Sequence, residues 1–314
     1  MHKSGAIIVT SNQRNEETKM KNIKKLLALA LAVLFVFAMA ACGDNGSSGS
    51  SGSAEAGTGA VKVIDIALSS EEYAFAVNPN DSELLTAVNA FLAEIKENGK
   101  YDEVINHYFG DGTPVEIESA TEDSSKDQLI VVTEPGFEPF EYTSGNKYAG
   151  IDMEFAKMLA DYLGKELVIK EIDFDSIFNT LNTNGADIGM AGITVKPDRE
   201  KLVKFSSTYY NAAQNLIVMS SNTTFNDCKT KEDVDNILKS FDSNVKIGVQ
   251  TGTTGNFYVE GDDDFGFDKL NATAVGFNTG SLAVNAMING DVDYVIIDEA
   301  PANCIAKAIN KFAQ

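Results

Sequence analysis

Histidine, cysteine and basic side chains are all scarce in this chain, and each scarcity removes a class of function. Only two histidines and three cysteines occur in 314 residues. Three cysteines cannot build a disulfide framework for a chain this long. Basic residues number 25 against 46 acidic ones, a net charge of −21, with a pI near 4.4. Nothing there offsets phosphate repulsion, which argues against nucleic acid as a partner. No Gly-X-Y period, heptad or repeat of about 20–50 residues is visible, so collagen, coiled coils and solenoids drop out. What is plentiful is apolar: 44% of the residues, enough for one large core or two ordinary ones and too much for a disordered chain.

The N-terminal part is organised separately. Leu26 to Ala41 is an uncharged run of sixteen residues preceded by Lys21, Lys24 and Lys25. A basic stretch followed by a short apolar one is the layout of an export signal, and the run is short for a spanning helix. Met39-Ala40-Ala41-Cys42 follows directly. Small residues before a cysteine at that point resemble the bacterial lipobox, with Met39 where Leu is usual; there the cysteine is lipidated and becomes the mature N-terminus. Cys42 is thus the expected lipidation site, the alternatives being an ordinary signal with an incidental cysteine or an uncleaved anchor. Met20 opens a well-formed signal by itself, so residues 1–19 read as a misassigned start or a dispensable leader. Removing the six basic and two acidic residues of 1–41 leaves 19 and 44, a net −25. Gly43 to Ala60 then holds six Gly and five Ser in eighteen residues, the composition of a flexible tether with a reach of roughly 24 Å.

The remainder alternates between the two periodicities. Strands are expected at Val61–Ala67, Tyr73–Val77, Leu129–Val132, Leu167–Glu171, Ile188–Ala191, Leu216–Met219, Val245–Val249, Ala272–Val275 and Tyr294–Ile297. Helices are expected at Asp81–Asn98, Tyr101–Phe109, Asp152–Leu163, Ile177–Asn182, Lys231–Ser240, Leu282–Asn289 and Pro301–Phe312. Asp111 to Asp127 is a polar bridge. Strands alternating with helices predict α/β layers with parallel pairing.

Several motifs then carry a resemblance. Leu129-Ile-Val-Val-Thr-Glu-Pro-Gly-Phe-Glu-Pro-Phe-Glu-Tyr142, Tyr148-Ala-Gly-Ile-Asp-Met-Glu-Phe-Ala156 and Phe174-Asp-Ser-Ile-Phe-Asn-Thr-Leu181 come first. Asp187-Ile-Gly-Met-Ala-Gly-Ile-Thr194 with Arg199, Lys246-Ile-Gly-Val-Gln-Thr-Gly-Thr-Thr-Gly255 and Asp293-Tyr-Val-Ile-Ile-Asp298 follow in order. Together they resemble bacterial solute-binding protein family 3, the polar amino-acid-binding proteins of ABC importers. The resemblance implies a two-lobe, type II periplasmic-binding-protein-like α/β fold, with two βα lobes joined by a two-strand hinge.

One departure concerns order. The segment Val61–Val77, the helix near Glu83–Asn98 and Gly99-Lys-Tyr-Asp-Glu-Val-Ile-Asn-His-Tyr-Phe-Gly110 resemble the family's C-terminal part, placed here in front. The expectation is a circular permutation with 111–127 as the joining linker, against a truncated tandem or a fusion scar. Lobe 1 is then expected at 72–212 and lobe 2 at 213–314 completed by 61–71, with crossings near Asn211–Leu216 and Glu71–Ala76.

A free amino acid carries a carboxylate and an ammonium on one carbon, so its site needs a cationic fork and an anion. Arg199 can grip a carboxylate bidentately and stands where the resemblance places that arginine; a surface arginine paired with Asp198 or Glu200 is the alternative. Thr251-Gly-Thr-Thr-Gly255 follows a strand and opens a helix, where Thr253 and Thr254 are expected to offer further donors. Asp298, at a strand's carboxyl end, is the expected partner of the ligand ammonium, or else a helix N-cap. Gly192 and Thr194 would add a backbone carbonyl and donors. Phe137 and Phe174 match positions that flank the ligand side chain, where ordinary core packing is the alternative. Glu134 matches a specificity position and points to a polar or cationic ligand. Gln250 and Ile297 replace the Lys and His of glutamine-binding members, and Lys196 replaces the usual second Thr before Arg199.

The resemblance implies no cofactor and no metal. It implies a free amino acid, an ABC permease and a lipid-anchored membrane surface as partners, and a monomer on the outer face of the membrane. Enzymes use the same fold, dehydratases among them, but beyond the signal the histidine is His107, far from the cleft motifs, and no His-paired nucleophile or metal-ligand cluster occurs. An amino-acid sensor without a transporter is the remaining alternative. Cys228 and Cys304 could pair or stay reduced.

Overall fold

The apolar stretches that read as continuous runs in the sequence are strands covered on both faces. In Tyr294–Asp298 the side chains alternate between two cores: Val295 and Ile297 pack with Ile217, Ala283 and Met287, whereas Tyr294 and Ile296 pack with Leu216, Val234 and Leu238. Period-two alternation with both faces buried leaves no polar position to mark the period.

The computed structural model describes residues 60–312; the leader, the signal run, Cys42 and most of the Gly/Ser tether lie outside the described residues. Two five-stranded sheets organise the chain. One runs in the order Lys204–Phe205, Ala76–Val77, Ile188–Gly189, Gln128–Thr133, Glu166–Glu171. The other runs Val61–Ile64, Gln214–Met219, Tyr294–Asp298, Lys246–Gln250, Thr273–Phe277. Both share one pattern of strand directions. Gln128–Thr133 and Lys246–Gln250 are parallel to both neighbours, and Ala76–Val77 and Gln214–Met219 are antiparallel to both neighbours.

All-parallel pairing is therefore corrected. The antiparallel strand of each sheet is not delivered by a βαβ crossover: it enters from the other lobe. Glu71–Tyr73 runs on into Ala76–Val77, and Tyr210–Ala212 runs on into Gln214–Met219. The two connecting strands pair antiparallel, Tyr73 opposite Tyr210.

Local signals set the helix limits. Asp81 caps the helix Ser82–Glu97 by accepting the Leu84 N–H at 2.8 Å, and Leu84, Val88, Phe91, Leu92 and Ile95 form its buried stripe. It packs with the helices Lys100–Phe109 and Ile151–Leu163. Thr230 and Asp233 form a full capping box on Lys231–Ser240. Between the lobes' main elements, Gly136–Phe137, Glu141–Ser144 and Lys147–Ala149 form a small antiparallel sheet that periodicity did not reveal; it sets Phe137 opposite Glu141.

The polar bridge after Asp111 lies against this same lobe. Ile117 exchanges backbone hydrogen bonds with Tyr148, the Ala120 N–H bonds the Leu167 carbonyl at 2.9 Å, and Ser119 Oγ accepts the Ile169 N–H at 2.8 Å. At the other end, the Asn310 side chain brackets Val61, accepting its N–H at 3.1 Å and donating to its carbonyl at 2.8 Å. Cys228 is a free thiol, so it forms no disulfide with Cys304. No helix among the described residues is long and apolar enough to cross a membrane.

Candidate functional site

Strand ends of both sheets converge on one cleft. The first sheet supplies Glu134 just past Gln128–Thr133, Phe174 after Glu166–Glu171, and Gly192 and Thr194 after Ile188–Gly189. The second supplies Gln250 at the end of Lys246–Gln250, Thr253 and Thr254 at the start of the helix Thr254–Glu260, and Asp298 at the end of Tyr294–Asp298. Carboxyl ends of strands are where open α/β sheets present side chains to a crevice. With Phe137, Glu141 and Arg199, nearly all of these residues line one cleft.

Arg199 is buried, which excludes the exposed pair with Asp198 or Glu200. Its guanidinium donates to the Thr194 carbonyl at 2.6 Å and, across the cleft, to the Gly252 carbonyl at 2.9 Å. Phe178, Phe174 and Phe257 surround it, with ring centroids 4.8, 5.3 and 5.8 Å away. Burial lowers its pKa to about 10, with Glu71 and Asp298 working against that shift, so it remains a cation at neutral pH.

The acids outnumber it. Burial pushes the Glu134 carboxyl up to about 7, although Gln250 donates to it at 2.9 Å from the opposite lobe. Glu141 is 1% exposed, and one of its carboxylate oxygens, like Oε1 of Gln250, has no hydrogen-bond partner. Its pKa lies well above the carboxylate range, through burial first and then through Asp152, Glu134 and Asp298. Asp298 accepts from the Tyr73 hydroxyl at 2.5 Å and is raised by burial and by Glu71. Glu71 itself is buried and bonded to Ser69, Thr194 and Gln214. Taken together, this is an electron-rich cleft with one fixed cation.

The sequence between residues 129 and 296 matches the model of the bacterial extracellular solute-binding proteins, family 3. The chain belongs to that family. Among its relatives, the arginine-binding extracellular protein ArtP of Bacillus subtilis is 37% identical over 95 residues, 30% of this chain and 37% of ArtP. A probable histidine-binding protein of Neisseria gonorrhoeae is 29% identical, covering 54% of this chain and 58% of that protein. The chain thus spans between about a third and three fifths of these curated relatives. An ancestral arginine-binding protein, solved with glutamine and with arginine, is 32% identical, covers 60% of this chain and 76% of its own, and superposes with a TM-score of 0.50.

In this solute-binding protein the structure brings all ten sequence-derived site residues together: nine line the cleft and Glu134 joins through Gln250. Two of them are fixed by local contacts. The Gly192 N–H is taken by Asp152 at 2.9 Å, and its φ of +52° sets the close approach to Phe137, whose ring carbon lies 2.8 Å from where a Cβ would stand. The Thr253 hydroxyl turns back to the Gln250 carbonyl at 2.7 Å instead of capping its helix. Sequence reasoning missed Glu141, Glu71 and Tyr73. The Pro-Phe-Glu-Tyr run around Glu141 is a turn into a four-residue strand, and Glu71 reads as a polar surface residue until the crossing strand buries it. His107 lies outside the cleft lining, with Nδ1 2.9 Å from Glu154.

Proposed function

We propose that the protein captures a free amino acid with a cationic side chain outside the cytoplasm and delivers it to the permease of an ABC importer. The observation that carries this reading is Glu141: a buried carboxyl group with an unpaired oxygen, beside Glu134, in a cleft whose lining holds one cation. A ligand carrying a carboxylate, an ammonium and a second cation pairs with Arg199 and favours the ionised form of these acids. In this reading Arg199 takes the α-carboxylate with Thr194, Thr253 and Thr254. Asp298 and the Gly192 carbonyl take the α-ammonium. Phe137 and Phe174 flank the aliphatic stem, and Glu134, Glu141 and Gln250 receive the cationic head. The arginine- and histidine-binding relatives support this class of ligand.

Ligand contacts contributed by both lobes favour the closed state, which is the form a permease receives. Export by the signal run, a lipid on Cys42 and a tether through residue 60 keep a monomer at the membrane face. The order of segments is that of a circular permutant, with 111–127 as the joint, lobe 1 at 72–212 and lobe 2 at 213–314 with 61–71. The strand Val61–Ile64 paired with Gln214–Met219 supports this arrangement. We read the protein as a binding protein and not an enzyme: the cleft lining contains no histidine, cysteine or lysine to assist its carboxylates.

A thermal-shift screen of the twenty amino acids tests the assignment, since stabilisation grows as RT ln(1 + [L]/Kd). Arginine, lysine or histidine is expected to raise the melting temperature, and Arg199→Ala to abolish the shift. A shift by none of the twenty refutes the amino-acid reading; a shift by neutral amino acids alone refutes the role of Glu141.

A further inference from the structure

Among the described residues, Lys196 is the one lysine that is almost completely enclosed, with a side chain 3% exposed. It lies between Ile188–Gly189 and Lys204–Phe205, on the first lobe, yet its ammonium is seated on the second. Asp264 is 2.6 Å away and Asp262 3.1 Å, both from the loop between the helix Thr254–Glu260 and the strand Thr273–Phe277; Asp198 of its own lobe is at 3.2 Å. The rings of Phe257 and Phe265, also on the second lobe, lie 5.3 and 5.9 Å from the ammonium. Lys196 does not line the ligand cleft, though Phe257 also packs against Arg199.

We propose that Lys196 is a closure latch, a positioning residue that holds the two lobes together without touching the ligand and so sets how much of the ligand-free protein is already closed. Rotation of the lobes apart returns Lys196, Asp262 and Asp264 to water, so their pairing contributes to the closed form alone. Only such a differential interaction can shift a two-state equilibrium. The apparent dissociation constant equals the intrinsic one divided by the closed fraction, so a latch raises affinity for every ligand alike and leaves discrimination between ligands unchanged. The aromatic walls exclude water and strengthen the pairing in the closed form. This inference rests on the reading of the cleft as one that closes around a ligand, but its first test uses no ligand.

Hydrogen–deuterium exchange is followed by mass spectrometry on the ligand-free full chain, comparing the unaltered protein with Lys196→Met, Asp264→Asn and the double variant. Two regions decide the outcome: the 260–268 loop that holds the socket, and the 276–280 segment, where Asn278 bonds Asp173 across the cleft at 3.0 Å. A latch predicts faster exchange in both regions for each single variant, with no further increase in the double variant. A local structural role accelerates 260–268 alone, and that result overturns the proposal, as does no change in either. Lys196→Arg is expected to restore protection. Should Lys196→Met not fold, Asp264→Asn on the half-exposed loop tests the same contact from the other lobe. Arginine titrations then expect each single variant to bind at least about tenfold more weakly with an unchanged preference over histidine. Opened exchange without binding of any amino acid retains the latch and removes the ligand assignment.

Discussion

Glu134 gives the sharpest quantitative test of the cleft. Burial moves its carboxyl from 4.5 to about 7, with Asp173 and Glu171 adding to the shift and the Gln250 amide opposing it. The folded state therefore holds this proton more tightly than the unfolded chain does. Below pH about 4.5 the carboxyl is protonated in both states and costs nothing; as pH rises toward about 7 the unfolded chain ionises while the folded one resists, and stability falls. Above that window the full difference, about 3 kcal/mol, is lost. At about 2–4 °C per kcal/mol for a protein of this size, that is about 6–12 °C in Tm. Glu134→Gln keeps the shape and the contact with Gln250 but cannot ionise. Calorimetry of the ligand-free protein is expected to give the same Tm for both at pH 4, and a variant about 6–12 °C more stable at pH 8. Taking the difference between the two curves cancels Asp152 and Asp298, which also titrate upward. A flat difference from pH 4 to 8 refutes the desolvated cleft. Arginine added at pH 8 is expected to narrow the gap, because its guanidinium offsets the ionised Glu134 only in the unaltered protein.

Two further outcomes separate ligand binding from stability. Gly192→Ala forces a Cβ to within 2.8 Å of the Phe137 ring at a φ of +52°, at a cost of about 1–2 kcal/mol; isothermal calorimetry should show affinity down about fivefold to thirtyfold. Glu154 is buried and accepts from His107 Nδ1 at 2.9 Å, the Tyr108 hydroxyl at 2.7 Å and the Val115 N–H at 3.1 Å, so Glu154→Ala should remove about 2–3 kcal/mol of stability by chemical denaturation with affinity unchanged.

Elements whose limits are set by neighbouring residues were legible to the residue. Lys231–Ser240, with its capping box, and Ile177–Asn182 match their sequence-derived bounds. Gly136–Phe137 and Lys147–Ala149 were not, because strands of two or three residues carry no periodicity. The same division holds in the cleft. Asp298 and the Thr253–Thr254 turn were legible because a strand end and a Gly/Thr turn mark where the backbone delivers them, and Arg199, on the short helix Pro197–Glu200, was placed by the family resemblance. Glu141 was not, because its significance lies in being sealed off beside other acids. Lys196 stood out as a departure, but its partner Asp264 is 68 positions further along the chain.

By itself the sequence determined the kinds of groups available and the local geometry that presents them: alternating cores, capped helices, a fork-shaped cation and carboxylates at strand ends. Those follow from interactions within a few residues, which the order of amino acids specifies directly. Only the tertiary structure decided which acids are stripped of water, which oxygen lacks a partner and which lysine reaches across to the other lobe. Desolvation and charge pairing depend on distances between residues remote in sequence, and in this protein the two crossing strands Glu71–Tyr73 and Tyr210–Ala212 connect the lobes between which those distances are set.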